Sequence, residues 1–135
     1  MTPLHIDDPE GFNQKIDYSD IAYGRIRPTD IDGFIEYHNK LFIFMEFKCE
    51  GVDFFGDQHI GQRLALERLV DSLYEVGKSA YVIIATHPKD YTKDLKTADC
   101  KVIKVRMEKQ WREPSITINL KDYIDILVKG NFEVT

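Results

Sequence analysis

Glu46 and Lys48 stand one residue apart at the end of the apolar run LFIFMEFK, Leu41 to Lys48. In an extended strand successive side chains alternate faces. Phe42, Phe44, Glu46 and Lys48 therefore share one face, and Leu41, Ile43, Met45 and Phe47 the other. Both faces are apolar up to residue 46, the pattern of a central strand covered on both sides. Glu46 and Lys48 leave that run together at its C-terminal end. A carboxylate so placed can hold a cation, and an ammonium beside it can orient water or neutralise charge building on a phosphoryl group.

A third charged residue is brought to the same place by a β-hairpin. Gly33–Tyr37 and Leu41–Phe47 read as its strands, joined by His38, Asn39 and Lys40. In that register Tyr37 lies opposite Leu41, Phe34 opposite Phe44 and Asp32 opposite Glu46, which also pairs apolar residues with apolar ones. Carboxylates opposed across strands repel by about 0.2–1 kcal/mol unless a cation lies between them. Mg²⁺ or Mn²⁺ supplies such a cation, since hard oxygen donors suit both. The chemistry that uses this trio is phosphodiester hydrolysis.

The helix that follows adds Gln62. On a helical wheel Leu66, Leu69 and Leu73 fall within about 40° of it, while Arg63, Glu67, Arg68 and Asp71 lie well off that line. Gln62 is thus the polar residue at the centre of the stripe that faces the sheet. It must find a partner or cost about 1–3 kcal/mol.

These residues need a scaffold. Pro9 starts a short helix through Lys15, and Tyr23 to Arg27 is a short strand or turn before Pro28. After the hairpin, a helix spans Asp57 to Val76 with Gly77 as its stop. SAYVIIAT, Ser79 to Thr86, reads as a buried strand. His87 and Pro88 follow it in a loop at a sheet edge, with no role assigned. Lys101 to Glu108 is a strand nearer an edge. A last helix runs from Asn119, a good N-cap, to Lys129, with Gly130 behind it. The sum is an α/β fold, a mixed central sheet with a β-hairpin and flanking helices. With no internal repeat or linker, residues 1–135 make one domain.

The chain has 135 residues, 43% of them hydrophobic and 30% charged, the ordinary globular class. No apolar segment approaches the roughly 18 residues of a membrane span, and MTPLHIDDPE has neither the basic nor the apolar region of a signal peptide. A cytoplasmic protein with no membrane partner is expected. Cys49 and Cys100 are isolated, without the spacing of a zinc site, and read as reduced thiols. The net charge of −5 argues against a generic DNA-coating protein. Between Lys89 and Arg112, however, eight basic residues face four acidic ones, a local +4 that leaves −9 for the remainder. That segment reads equally as a basic surface or a solvated strand edge and loop. Trp111 within it could stack on a base or anchor the core. His38 and His59 read as surface residues.

With Asp32, Glu46-Phe47-Lys48 and Gln62 assembled, the sequence resembles the PD-(D/E)xK nuclease superfamily, the restriction-endonuclease-like fold. Its motif is an acidic residue at the start of one hairpin strand, ExK or DxK at the end of the next, and often a glutamine on the following helix. RPTDIDGFIEYHNKLFIFMEFK and GQRLALERLV are also similar to small phage-type nucleases of the Holliday-junction-resolvase-like and VRR-nuclease branches. The resemblance covers about Asp30 to Thr86. It implies a restriction-endonuclease-like core, with Asp32, Glu46 and the backbone carbonyl of Phe47 as metal ligands. Lys48 is then the catalytic lysine and Gln62 its support. The literal PD is split as Pro28-Thr29-Asp30, so Asp30 competes with Asp32, and the hairpin register favours Asp32. Glu10 is a further candidate in the first helix. A homodimer in the host cytoplasm is also implied.

Two functions follow as expectations. One is a Mg²⁺- or Mn²⁺-dependent deoxyribonuclease acting on branched or structured DNA. The other is a catalytically silent binding protein on the same fold, such as a phage protein that occupies a host nuclease or defence complex, for which the −9 balance suits mimicry of nucleic acid.

Overall fold

The strand that is apolar on both faces lies inside a mixed sheet. A computed structural model describes residues 15–90 and 92–131, and the Pro9–Lys15 helix therefore falls almost wholly outside the described residues. Among the described residues five strands, β1 (Gly33–Tyr37), β2 (Leu41–Cys49), β3 (Ser79–His87), β4 (Lys101–Met107) and β5 (Gln110–Arg112), lie side by side in chain order. Neighbours run antiparallel except β2 and β3, which are parallel and joined through helix α1 (Ile60–Glu75). Helix α2 (Leu120–Asn131) closes the chain order.

The two helices cover opposite faces, following the alternation in β2. Leu41 and Ile43 pack with Ile83, Val102 and Val105 against Leu120 and Leu127 of α2. Phe44 packs with Val82 and Ile84 against Leu66 and Val70 of α1, together with Phe54 from the connecting loop. The hairpin has the expected register, Tyr37 on Leu41 and Phe34 on Phe44, and the two Phe rings stack with centroids 4.7 Å apart. His38 and Asn39 take positive φ in its turn.

Helix ends follow the local chemistry. Gly77 at φ +88° stops α1, with its N–H donating to the Tyr74 carbonyl and that of Lys78 to Leu73, the paired bonds of a Schellman motif. The Asn119 side chain accepts from the Asp122 N–H at 2.9 Å and caps α2. Gly130, expected behind that helix, lies within it.

Other boundaries differ from the pattern reading. Of the strand or turn expected at Tyr23 to Arg27, the structure has the turn, closed by an isolated bridge between Tyr23 and Ile26. The helix expected from Asp57 opens as a 3₁₀ turn, Asp57–His59. His87 is the last residue of β3, paired with Cys49, and not a loop residue at an edge. In α1, Val70 is fully buried while Leu69 is 38% exposed. The buried face is thus rotated from the one centred on Gln62, which sits at its margin. In β4 a bulge opposite Ile84/Ala85 interrupts the alternation, so that Val102 and Val105, three apart, face α2 together. β5 follows a turn at Glu108 and Lys109, both with positive φ, conformations that their side chains do not advertise.

Candidate active site

Glu46 is 1% exposed, the one buried charged residue among those described. It keeps the face it shares with Phe44, and that face is sealed by α1 and Phe54. Burial pushes its carboxyl up to about 7, and the charge of Asp32 adds to the effect while Lys48 opposes it. A carboxylate in this position is short of positive charge.

Asp32 lies one step beyond the last hairpin pair, Gly33 with Met45. Its backbone N–H donates to Glu46 Oε1 at 3.4 Å, and its own Oδ2 accepts from the Phe47 N–H at 2.9 Å. The end of the ladder is thus made by side chains, and the two carboxyl groups are held side by side. Asp30 plays a different part. Its carbonyl accepts from Gln62 Nε2 at 3.3 Å, while its carboxylate bonds the Tyr18 hydroxyl and raises that group's pKa. Of the two aspartates, the geometry puts the Asp32 carboxylate beside Glu46 and turns that of Asp30 to Tyr18.

Gln62, in the first turn of α1, joins the set. Nε2 donates to Glu46 Oε2 at 2.9 Å as well as to Asp30, and Oε1 accepts from Lys48 Nζ at 3.2 Å. With both amide hydrogens directed at oxygens, the carbonyl oxygen must face the ammonium. Lys48 Nζ also lies 3.7 Å from Glu46 Oε2 and 5.5 Å from the centroid of the Phe54 ring. Asp32, Glu46, Lys48 and Gln62, separated by up to 30 positions, form one hydrogen-bonded cluster.

Phe54 and Tyr18 were not legible as members of this region. Phe54 belongs to a loop without periodicity, and only its complete burial, with Trp111 edge-on to both Phe54 and Phe55, reveals it as a wall of the site. Trp111 is thereby a packing anchor, its indole N–H donating to Glu67. His59 stacks on Phe54, and His38 on Tyr37 in the hairpin turn. Glu10 lies outside the described residues. A hollow of about 340 Å³ lined by His87, Lys93, Asp94 and Cys100 is separate from this cluster.

Lys104 pairs with Glu113, Arg106 with Asp71, Lys109 with Glu75 and Arg112 with Glu108. Much of the local +4 is therefore spent within the protein.

Among the described residues no group of three or more His, Cys, Asp or Glu side chains is placed to hold a metal ion. The donors on offer are two carboxylates and main-chain oxygens. Two carboxyl groups side by side, one of them buried and raised by the other's charge, are the chemistry that a hard divalent cation relieves. No helix among the described residues is long and apolar enough to cross a membrane. No protein-family model, curated protein or solved structure matches the chain.

Proposed function

We propose that the chain is a divalent-metal-dependent nuclease that hydrolyses DNA phosphodiester bonds on a restriction-endonuclease-like core. The observation that carries this reading is the cluster itself, in which Gln62 bridges Glu46 and Lys48 while Asp32 lies against Glu46. A structural ion pair would need neither the second carboxylate nor the glutamine. Asp32, Glu46 and the carbonyl of Phe47 would hold Mg²⁺ or Mn²⁺. When bound, the cation supplies Lewis-acid polarisation of a phosphoryl oxygen and offsets its charge.

The chain's own residues do the rest. Gln62 fixes the Lys48 ammonium at the open side of the carboxylate pair, its side chain 17% exposed. From there Nζ can donate to a phosphoryl oxygen or hold water in line for attack. Phe54 shields the inner side and keeps Glu46 away from solvent. The test is cleavage of supercoiled, linear and four-way-junction DNA with Mg²⁺, with Mn²⁺ and with EDTA, beside Glu46→Gln. Metal-dependent cutting lost in the variant is the expected result, and silence on every substrate from folded protein would overturn it.

A second reading, a binding protein with a silent site, draws on the ion pairs that neutralise Lys104 to Arg112. Failure of Mg²⁺ and Mn²⁺ to bind in calorimetry would favour it.

A further inference from the structure

Just ahead of the cluster, the chain makes a small rigid turn with unusual contents. Tyr23 and Ile26 exchange both backbone hydrogen bonds, at 2.8 and 3.0 Å, around Gly24 and Arg25, and Gly24 takes φ +64°. Arg27 Nε donates back to the Gly24 carbonyl, and Pro28 holds Arg27 in extended backbone. A turn braced in this way presents its side chains at little further entropic cost.

Those side chains are Tyr23, 70% exposed, Ile26, 73% exposed, and two exposed arginines. Among the described residues neither guanidinium has a carboxylate partner, in contrast to the paired cations of Lys104 to Arg112. Large exposed apolar groups beside arginines that have no carboxylate partner among the described residues suit a ligand with both a flat apolar face and negative charge. A nucleic-acid strand has both, since every base offers a stacking face and every linkage a phosphate.

The turn is also in reach of the chemistry. Arg27 is three positions before Asp30, whose carbonyl holds Gln62, so the two Cα atoms lie at most about 11 Å apart. The bond from Tyr18 to Asp30 fastens the near side of the turn to the same point.

We propose that the Tyr23–Arg27 turn is a nucleic-acid contact beside the catalytic cluster, in which Arg25 and Arg27 hold backbone phosphates and Tyr23 stacks on an unpaired or unstacked base. This deepens the nuclease reading and rests on it for the identity of the substrate. It selects strands with accessible base faces, such as single strands and junctions, over continuous duplex, whose bases are already stacked.

The experiment is fluorescence anisotropy in EDTA, with a labelled single strand, its duplex and a four-way junction across a salt series, run beside cleavage with Mg²⁺. Tyr23→Ala is expected to weaken single-strand and junction binding about 5- to 150-fold, and Tyr23→Phe to retain it. Arg25→Ala/Arg27→Ala should lower the single-strand salt slope by about 1.4, or 0.7 per phosphate contact. Because these side chains are exposed, melting temperatures should stay unchanged. Wild-type affinity and slope in all three variants would overturn the contact while leaving cleavage, and so the nuclease reading, intact. Binding lost in the variants without cleavage by any form would uphold the contact and remove the nuclease. Wild-type protein that binds none of the three DNAs would overturn the contact.

Discussion

Gln62 Nε2 donates to Glu46 Oε2 at 2.9 Å while its Oε1 accepts from Lys48 at 3.2 Å, so one amide sets the spacing of a buried acid and an ammonium. Removing the amide takes the donor from Glu46 Oε2 and leaves the buried acid only the long bond from the Asp32 N–H on Oε1. Gln62→Leu is expected to destabilise the fold by about 1–3 kcal/mol and to depress cleavage. Denaturant midpoints and cleavage rates, measured together, check both effects.

Lys48 is 17% exposed and its ammonium offsets the buried Glu46, so its loss should cost some stability as well as activity. Lys48→Ala is expected to lower the cleavage rate about 10²- to 10³-fold, the usual cost of removing one donor aimed at developing charge. An unchanged rate from this variant would remove Lys48 from the mechanism. Circular dichroism verifies that the protein remains folded.

The buried acid makes stability depend on pH. Glu46 is raised from 4.5 to about 7 in the folded chain, so between these values the folded state binds more protons than the unfolded one. Stability of the metal-free protein therefore falls as pH rises through that window, by about 3 kcal/mol in all. It is unpenalised below 4.5 and fully penalised above about 7. Glu46→Gln should flatten the profile, which urea midpoints at a series of pH values would show.

A divalent cation should reverse that penalty. Binding of Mg²⁺ or Mn²⁺ requires the ionised carboxylate, so affinity is expected to weaken as pH falls below about 7, with protons released on binding. Calorimetry in buffers of different ionisation enthalpy measures the release. Glu46→Gln should abolish it, and the cation should raise the melting temperature of wild type alone.

Arg106 donates twice to Asp71, at 3.1 and 2.6 Å, and ties β4 to α1 away from the cluster. Asp71→Ala is expected to cost about 1–3 kcal/mol of stability while leaving metal affinity unchanged. A changed affinity would mean that α1 is held to the site through this pair.

What could be read from sequence alone was set by short-range periodicity. The two-residue period of β2 put Glu46 and Lys48 on one face, and matching apolar positions across the hairpin put Asp32 beside Glu46. Both are local rules, and the register obeys them. The wheel of α1 brought Gln62 to the sheet, but burial of Val70 and exposure of Leu69 show a face turned by packing on β3 and Phe54. The bulge in β4, the turn at Glu108 and Lys109, and the pairing of the lysines and arginines beyond it had no local signal. Asp30 and Asp32 are equivalent as residue types, and the hairpin register already favoured Asp32. What only the tertiary structure decided is the partner of each carboxylate, Tyr18 for Asp30 and the Phe47 N–H for Asp32, because a hydrogen-bond partner distant in sequence is chosen by packing and not by pattern.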